Sequence, residues 1–235
     1  MVRLQLLLKN KQSMEEIVID KIIKSRRKTI SLEVSEKGEV IVRAPFFVTE
    51  SRVKKFVAEK SKWLQKAKKR AEGKQVVDRT YTHGEEFLYL GHPYKLLVVA
   101  KSDKKFEFSG AFILRKDSIG KAKELFEKWY RDSAREYFTE RLDYFSQLSG
   151  SEYIGLRLNK AKTRWGSCSR KGYINLNFKL IMADVEIIDY VILHEMMHIE
   201  HKNHAKSFWN DVSKYMPDFK ERRKWLKDNG HTLTF

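Results

Sequence analysis

The sequence is poor in cysteine and has no long apolar run. Cys168 is the single cysteine among 235 residues, so no internal disulfide can form and nothing indicates an oxidising compartment. The apolar stretch at residues 4–8 is too short for a signal-peptide core and far below the roughly 20 residues of a membrane span. We therefore expect a cytoplasmic protein without a membrane segment.

Proline and glycine are also scarce, at 3 and 11 residues, while hydrophobic residues make up 42% of the chain. This composition excludes fibrous and low-complexity classes and is typical of a globular protein. A chain of 235 residues can bury a sizeable core and is long enough for two modest domains. We expect two parts.

Acidic residues are too few to balance the basic ones, and the net charge is +17. Residues 1–80 alone hold 21 Lys and Arg against 10 Asp and Glu. Between Arg52 and Arg70, nine basic residues face one acid, Glu59, on a segment whose apolar residues have helical spacing. A solvated helix face explains such a run, and attraction to nucleic acid or another polyanion is the alternative.

The first half of the sequence has the patterns of β-strands. Apolar alternation predicts strands between residues 17 and 42, with a turn at Lys37-Gly38, and again between residues 86 and 114. Between them lies the basic helix, which Thr49 or Ser51 can cap and Gly73 can end.

The second half changes to helical spacing. An amphipathic helix is predicted from Gly120 to Gly150, then a small antiparallel sheet within residues 153–180, then a helix after Asp184 and two short helices at residues 205–215 and 218–230. The predicted fold class is therefore α+β. The predicted domains are a β-rich region with a basic helix at residues 1–115 and a second domain at residues 116–235, which contains the long helix, the small sheet and the later helices.

The segment His194-Glu195-Met196-Met197-His198 carries the chemistry. Two histidines four residues apart lie one above the other on a helix face, so both imidazoles can bind one metal ion. Glu195 projects beside that row and can take a proton from water without being a ligand. A chance occurrence of the spacing is the alternative, since five-residue patterns of this kind recur in unrelated proteins.

A third ligand would favour the metal site, because catalytic zinc usually takes three protein ligands and keeps one position for water. His201 would stay on the helix of His194 and His198, where three ligands along one helix converge poorly. His204 can converge with them if the chain turns. Asn203 tolerates the left-handed conformation that ends helices, and Lys202 suits the final turn by its interaction with the helix dipole. We favour His204 as the ligand, with His201 as a partner of a ligand or a surface residue. Asp211 could orient a ligand, but solvation at the surface explains it better.

The hairpin before this helix contains the candidate substrate-binding residues Arg164, Trp165, Gly166 and Ser167. A strand beside a metal can pair with an extended peptide, and a glycine would permit close approach. Arg164 could instead stabilise an oxyanion or a phosphate. An ordinary half-exposed sheet with Trp165 in the core explains the same residues equally well.

These segments also resemble a known family. The histidine segment followed by Phe208-Trp209, the run 164–169 and Ile174-Asn175-Leu176-Asn177 look like the YgjP-like metallopeptidases, relatives of the SprT and WLM peptidases. The similarity extends from Lys28-Thr29-Ile30 to Pro217-Asp218-Phe219 and is strongest from Lys162 onward. The resemblance implies a zincin-like catalytic half, ligands at His194, His198 and His204, and Glu195 as the catalytic acid and base.

The function predicted from these features is zinc-dependent hydrolysis of peptide bonds in a polypeptide substrate, with Zn²⁺ as cofactor. The first alternative is a metal-dependent phosphoanhydride hydrolase acting on nucleotides, suggested by the net charge, Arg164 and Lys162, although the sequence has no Gly-rich phosphate loop. The second alternative is a non-catalytic module whose basic helix binds nucleic acid around a structural metal. Glu195, which a structural site does not require, argues against that alternative.

Overall fold

The computed structural model describes residues 4–10, 13–35, 38–72 and 79–235. The chain divides into two compact units, Met1–Val77 and Asp78–Phe235. This division falls before the sheet of residues 86–115, because Phe87 and Phe112 of that sheet share a buried core with Phe126 and Tyr130 of the long helix. The functional boundary at residues 115/116 stays a prediction.

The first unit has two small sheets in its described residues. Strand β1 (Leu4–Asn10) pairs antiparallel with β2 (Ser13–Ile19). Strands β3 (Lys21–Ser25), β4 (Ser31–Val34) and β5 (Val40–Pro45) form a sheet in the order β3-β5-β4, with β3 parallel and β4 antiparallel to β5. The β4–β5 hairpin is the one predicted from the alternating apolar residues, and Gly38 adopts a φ of 79° in its turn.

The predicted basic helix is two helices, α1 (Glu50–Glu59) and α2 (Ser61–Glu72). The Thr49 side chain caps α1 by accepting a hydrogen bond from the Arg52 N–H at 3.3 Å. The break falls at Lys60, whose N–H bonds back to the carbonyl of Val57 at 3.1 Å. Both helices contribute apolar residues to one buried cluster: Val53 and Val57 from α1 and Leu64 from α2. Gly73, the predicted end, lies outside the described residues.

The second unit begins with a four-stranded sheet in the order β6-β7-β9-β8. Its strands are β6 (Glu86–Tyr89), β7 (His92–Val99), β8 (Phe106–Phe108) and β9 (Phe112–Arg115). A 3₁₀ turn then leads into α3 (Ala122–Ser149), which ends at Gly150 with a φ of 73°, as the sequence predicts. The aromatic residues of sheet and helix pack together as one core.

A second sheet of this unit contains β10 (Gly155–Asn159), β11 (Gly166–Cys168) and β12 (Tyr173–Asn177). The order is β10-β12-β11, with β12 in the centre. The prediction of an antiparallel sheet is wrong for one pair, because β10 runs parallel to β12. β11 pairs with one edge of β12, and β10, which precedes β11 in the sequence, pairs with the other edge.

Three helices complete the unit: α4 (Val185–Met197), α5 (Lys206–Tyr215) and α6 (Phe219–Asn229). Asp184 stands at the N-cap of α4, as predicted. Arg141 of α3 forms two hydrogen bonds to Asp189 of α4, at 2.7 and 2.8 Å, and this bidentate pair fixes α4 against α3. Within the described residues, no helix combines the length and the apolar character needed to cross a membrane.

Candidate metal centre

The first two histidines of the candidate site lie on successive turns at the end of α4. His194 is in the last turn and His198 is the C-cap residue, with φ −71° and ψ −9°. Their ring centroids are 5.1 Å apart. The four-residue spacing therefore brings both imidazoles to one face, as the sequence predicts.

The third histidine, His204, lies close to the first two because the chain reverses after α4. The Lys202 ammonium donates to the carbonyl of Ile199 at 2.7 Å, close to the helix end. The Asn203 side chain then accepts the N–H of Ala205 at 3.0 Å, which leads the chain into α5. Asn203 is predicted to adopt a left-handed conformation in this turn. The prediction is wrong, because among the described non-glycine residues positive φ occurs only at Tyr81 and Leu90. The reversal uses the Asn203 side chain instead.

The three imidazoles converge through their Nε2 atoms. His204 Nε2 lies 3.0 Å from His194 Nε2 and 3.1 Å from His198 Nε2. Nitrogens around a tetrahedral zinc ion at about 2.0–2.1 Å would be about 3.3–3.4 Å apart, so the observed spacing is close to that of a ligand set. Among the described residues, this is the one group of His, Cys, Asp or Glu that meets the spacing of a metal site.

The hydrogen bond at the other ring nitrogen of His198 sets its tautomer. His198 Nδ1 lies 2.9 Å from the backbone carbonyl oxygen of His201, so Nδ1 carries the proton and Nε2 presents a lone pair. Lone pairs directed at one another repel unless a proton or a cation lies between them. The His198 tautomer therefore fits a metal ion at the centre of the cluster.

Two aromatic residues of α5 hold the imidazole rings in place. Phe208, which is fully buried, stacks on His198 at 4.7 Å and meets His194 and His204 edge-on at 4.9 and 4.8 Å. Trp209 stacks on His204 at 5.5 Å and an angle of 21°. These contacts fix the ring orientations before any ligand binds, which is the condition for a preorganised site.

Burial keeps His194 and His204 in the neutral form that binds metals. It lowers the pKa of His194 to about 3, with further contributions from His198, His204 and Arg223. The pKa of His204 is also lowered, first by burial and then by His198 and Arg223. Neutral imidazoles at neutral pH leave the Nε2 lone pairs available.

His201 and Asp211 lie beside the cluster and not within it. His201 Nε2 is 2.7 Å from Asp211 Oδ2, and Lys214 bonds to the other carboxylate oxygen of Asp211. The contribution of His201 to the cluster is its backbone carbonyl, which accepts from His198. Asp211 therefore fixes the loop that carries this carbonyl.

Glu195 is buried and lies against a strand. Its side chain is in contact with Gly166 of β11, where an added Cβ would come within 2.5 Å of Glu195 Cγ and 2.6 Å of Oε1. The backbone N–H of Cys168 also donates to the Glu195 carboxylate. The absence of a side chain at Gly166 therefore makes room for this carboxylate. The close approach of a peptide at Gly166 stays a prediction.

Burial raises the pKa of Glu195 to about 7, while the Cys168 N–H and the charge of Arg164 act in the opposite direction. Glu195 is thus a carboxyl group that can gain and lose a proton near neutral pH. A group of this kind, buried beside three converging histidines, is chemically suited to proton transfer.

The cluster opens into a cavity of about 450 Å³. Three of the four candidate substrate-binding residues line it: Arg164, Trp165 and Gly166. The fourth, Ser167, pairs with Asn175 in the sheet, and its carbonyl accepts from the Asn175 side chain at 3.0 Å. Trp165 combines both interpretations made from the sequence, since it lines the cavity and also packs against the main core.

The family comparison is consistent with this geometry. A family model described as the YgjP-like metallopeptidase domain matches residues 28–229. The chain belongs to the YgjP-like metallopeptidase family. This confirms the resemblance seen in the sequence, makes the protein a metallohydrolase of the peptidase type, and implies a divalent metal ion and a polypeptide substrate.

Two solved structures are similar to part of the YgjP-like chain. One is the metallopeptidase zymogen abylysin of Pyrococcus abyssi, with 26% identity and a TM-score of 0.35 over 38% of this chain and 93% of that one. The other is the metallopeptidase zymogen jannalysin of Methanocaldococcus jannaschii, with 23% identity and a TM-score of 0.36 over 39% of this chain and 88% of that one. No curated protein matches the chain.

Several further residues line the cavity although sequence reasoning did not place them there. These are Tyr190, Val191, Trp209, Arg223 and Leu226. Tyr190 and Trp209 carried a signal that could have been used, since Tyr190 lies four residues before His194 on the same helix row and Trp209 follows His204 by five residues. Arg223 and Leu226 come from α6, and no local pattern connects that helix to the site.

Proposed function

We propose that this protein is a zinc-dependent peptidase in which His194, His198 and His204 hold the ion and Glu195 transfers the proton. The observation that carries the proposal is the convergence of three Nε2 atoms beside one buried carboxyl group. Three neutral nitrogen ligands are a donor set that suits zinc and leaves one coordination position open. The fold around them is then the zincin-like half that the family resemblance implies.

Zinc, when bound, would supply a Lewis acid that polarises the scissile carbonyl and makes water more acidic. Glu195 accepts a proton from the attacking water as the water oxygen bonds to the carbonyl carbon. The same carboxyl group then returns the proton to the amine nitrogen as the C–N bond breaks. The close contact with Gly166 and the N–H of Cys168 orient the carboxylate for both transfers.

The edge strand β11 is suited to hold an extended substrate. At its ends β11 bonds to β12 through the Trp165 carbonyl and the Ser169 N–H. Backbone groups alternate along a strand, so those of Gly166 and Cys168 point away from β12. Gly166 can thus pair with a peptide main chain, while Arg164 and Trp165 contact its side chains and Ser167 stays within the sheet.

The nucleotide-hydrolase alternative has less support. Besides the net charge it rests on Arg164 and Lys162, of which only Arg164 belongs to the described residues that line the cavity. The basic residues of α1 and α2 lie in the first unit, and nucleic-acid binding by them stays a prediction. Peptide hydrolysis uses every residue of the cluster and agrees with the family.

The two activities are separated by assaying one zinc-loaded preparation with an unfolded polypeptide and with nucleoside triphosphates. We expect the polypeptide to be cleaved and a peptide hydroxamate to inhibit, because the hydroxamate competes for the open coordination position. The Glu195→Gln protein, purified in parallel, controls for contaminating enzymes. Release of phosphate or pyrophosphate that requires Glu195, with no cleavage of denatured protein, would overturn the proposal.

The Gly166→Ala protein should bind zinc normally and cleave peptides about 10²-fold more slowly. The new methyl group would come within 2.5–2.8 Å of the Glu195 side chain and force the carboxylate to move by a fraction of an ångström or more. Zinc content is measured by elemental analysis and turnover with a fluorogenic peptide. Gly120→Ala is the matched control, because an added Cβ at Gly120 meets nothing within 4 Å. Equal activity of the two variants would contradict the positioning role of Gly166.

A further inference from the structure

Two arginines face the cavity beside the histidine cluster. Arg164 comes from the residues before β11, and Arg223 comes from α6. Among the described residues that line the cavity, they are the ones with permanent positive charge, and Glu195 is the one acid. A divalent metal ion at the histidines would add to this positive charge. The cavity therefore favours a negatively charged group.

Arg223 differs from its neighbours on α6. Arg222 is paired with Asp218 at 2.8 Å, and Lys224 with Asp228 at 3.2 Å. The Arg223 guanidinium instead lies over the ring of Trp209, 5.1 Å from its centroid. No carboxylate of the described chain lies within ion-pair distance of it. Its position is thus set by an aromatic contact, which leaves its N–H donors for a ligand.

Both arginines line the same cavity as the candidate ligands His194 and His204 and the carboxyl group of Glu195. A peptide bond held at the histidine cluster would therefore place its neighbouring side chains in the part of the cavity that Arg164 and Arg223 line.

The remaining walls of the cavity are largely apolar. Val191 and Leu226 supply aliphatic surface, and Trp165 and Tyr190 supply aromatic rings. A ligand group that matches such walls has an aliphatic stem and an anionic end. The side chains of glutamate and aspartate have this form, and arginine binds their carboxylates with two parallel hydrogen bonds.

We propose that Arg164 and Arg223 form a subsite for the carboxylate of an acidic side chain next to the scissile bond, so that the protein prefers acidic peptides. This inference rests on the proposed peptidase function and names its substrate class. Arg223 is the specificity-determining residue, since its charge has no carboxylate partner in the described chain and its place is fixed by Trp209.

The test uses one peptide sequence with Glu, Gln or Lys at each position that flanks the cleavage site, and with an amidated C-terminus. The zinc-loaded protein should cleave the Glu peptide with a kcat/KM about 10–100-fold above that of the Gln peptide, the range expected for hydrogen bonds to a charged group. Arg223→Gln should remove most of this preference, Arg223→Lys should keep part of it, and Arg223→Glu should favour the Lys peptide. Lys224→Gln, which removes one charge from the same helix outside the cavity lining, should behave as the wild type.

A second measurement separates this inference from the proposed function. Binding of the Glu and Gln peptides to the Glu195→Gln protein is followed by the fluorescence of the cavity residues Trp165 and Trp209. If no peptide is cleaved, the proposed function fails while the binding preference still reports on the arginines. Equal affinity for both peptides, or a preference unaffected in Arg223→Gln, overturns the inference. The inference is also overturned if the preference appears only when the same peptides carry a free C-terminus, because the subsite would then bind the terminal carboxylate.

Discussion

Replacing Glu195 with Gln should leave the zinc content unchanged and reduce peptide cleavage by about 10²–10⁴-fold. The change keeps the size of the side chain and one hydrogen-bond acceptor, so the contact with Gly166 and the Cys168 N–H can persist. It removes the basic oxygen that accepts the proton of water. The histidine nitrogens, which converge without Glu195, are not altered.

Zinc is measured by elemental analysis and kcat/KM with a fluorogenic peptide on the same samples. Glu186→Gln is the matched control, since Glu186 is an exposed residue in the first turn of the same helix. That variant should retain both zinc and activity. Loss of zinc from the Glu195→Gln protein would mean that Glu195 is a ligand, and undiminished cleavage would mean that another group is the base.

Local spacing was sufficient to predict the parts of the site that lie on one element. The interval between His194 and His198 fixes both on one helix face, and the alternation Ile174, Leu176 fixes the buried face of β12. Gly150 ends α3 as predicted, because a residue in the left-handed conformation closes the helix. Each of these features depends on residues within a few positions of one another.

The remaining features depend on contacts between distant segments. Gly166 lies against Glu195 because β11 packs beside α4, and no periodicity in either segment encodes that contact. β10 pairs with β12 although β11 lies between them in the sequence, and this choice of partner makes the pairing parallel. Arg223 reaches the cavity through its stacking on Trp209, which a sequence pattern cannot reveal.

The turn that carries His204 lies between these two cases. Lys202 and Asn203, the residues suited to reverse the chain, both form hydrogen bonds in this turn, but Asn203 does not adopt the predicted left-handed conformation. Asparagine can reverse a chain either through a positive φ or through its side chain, and the local sequence favours neither. Contacts with α5 decide which conformation Asn203 adopts, since Phe208 of that helix packs against all three imidazoles.

His204→Ala should lower the zinc affinity far more than His201→Ala. The first change removes one of three converging nitrogens, 3.0 and 3.1 Å from the other two. The second removes a side chain that contacts Asp211, while the backbone carbonyl that accepts from His198 remains. We expect a loss for His204→Ala beyond the roughly 10–100-fold typical of residues that only orient a ligand, and a loss within that range or smaller for His201→Ala.

The two variants form a matched pair, because each replaces one histidine of the same short connection between α4 and α5. Zinc affinity is measured by competition with a chromophoric chelator, and circular dichroism shows whether each variant keeps its helices. Restoring the site tests the assignment further: His204→Cys places a thiolate, another zinc ligand, on the same turn and should recover part of the affinity that His204→Ala loses. Equal losses for His201→Ala and His204→Ala would contradict the ligand assignment. So would normal zinc binding by His204→Ala, since two histidines on one helix would then suffice to hold the ion.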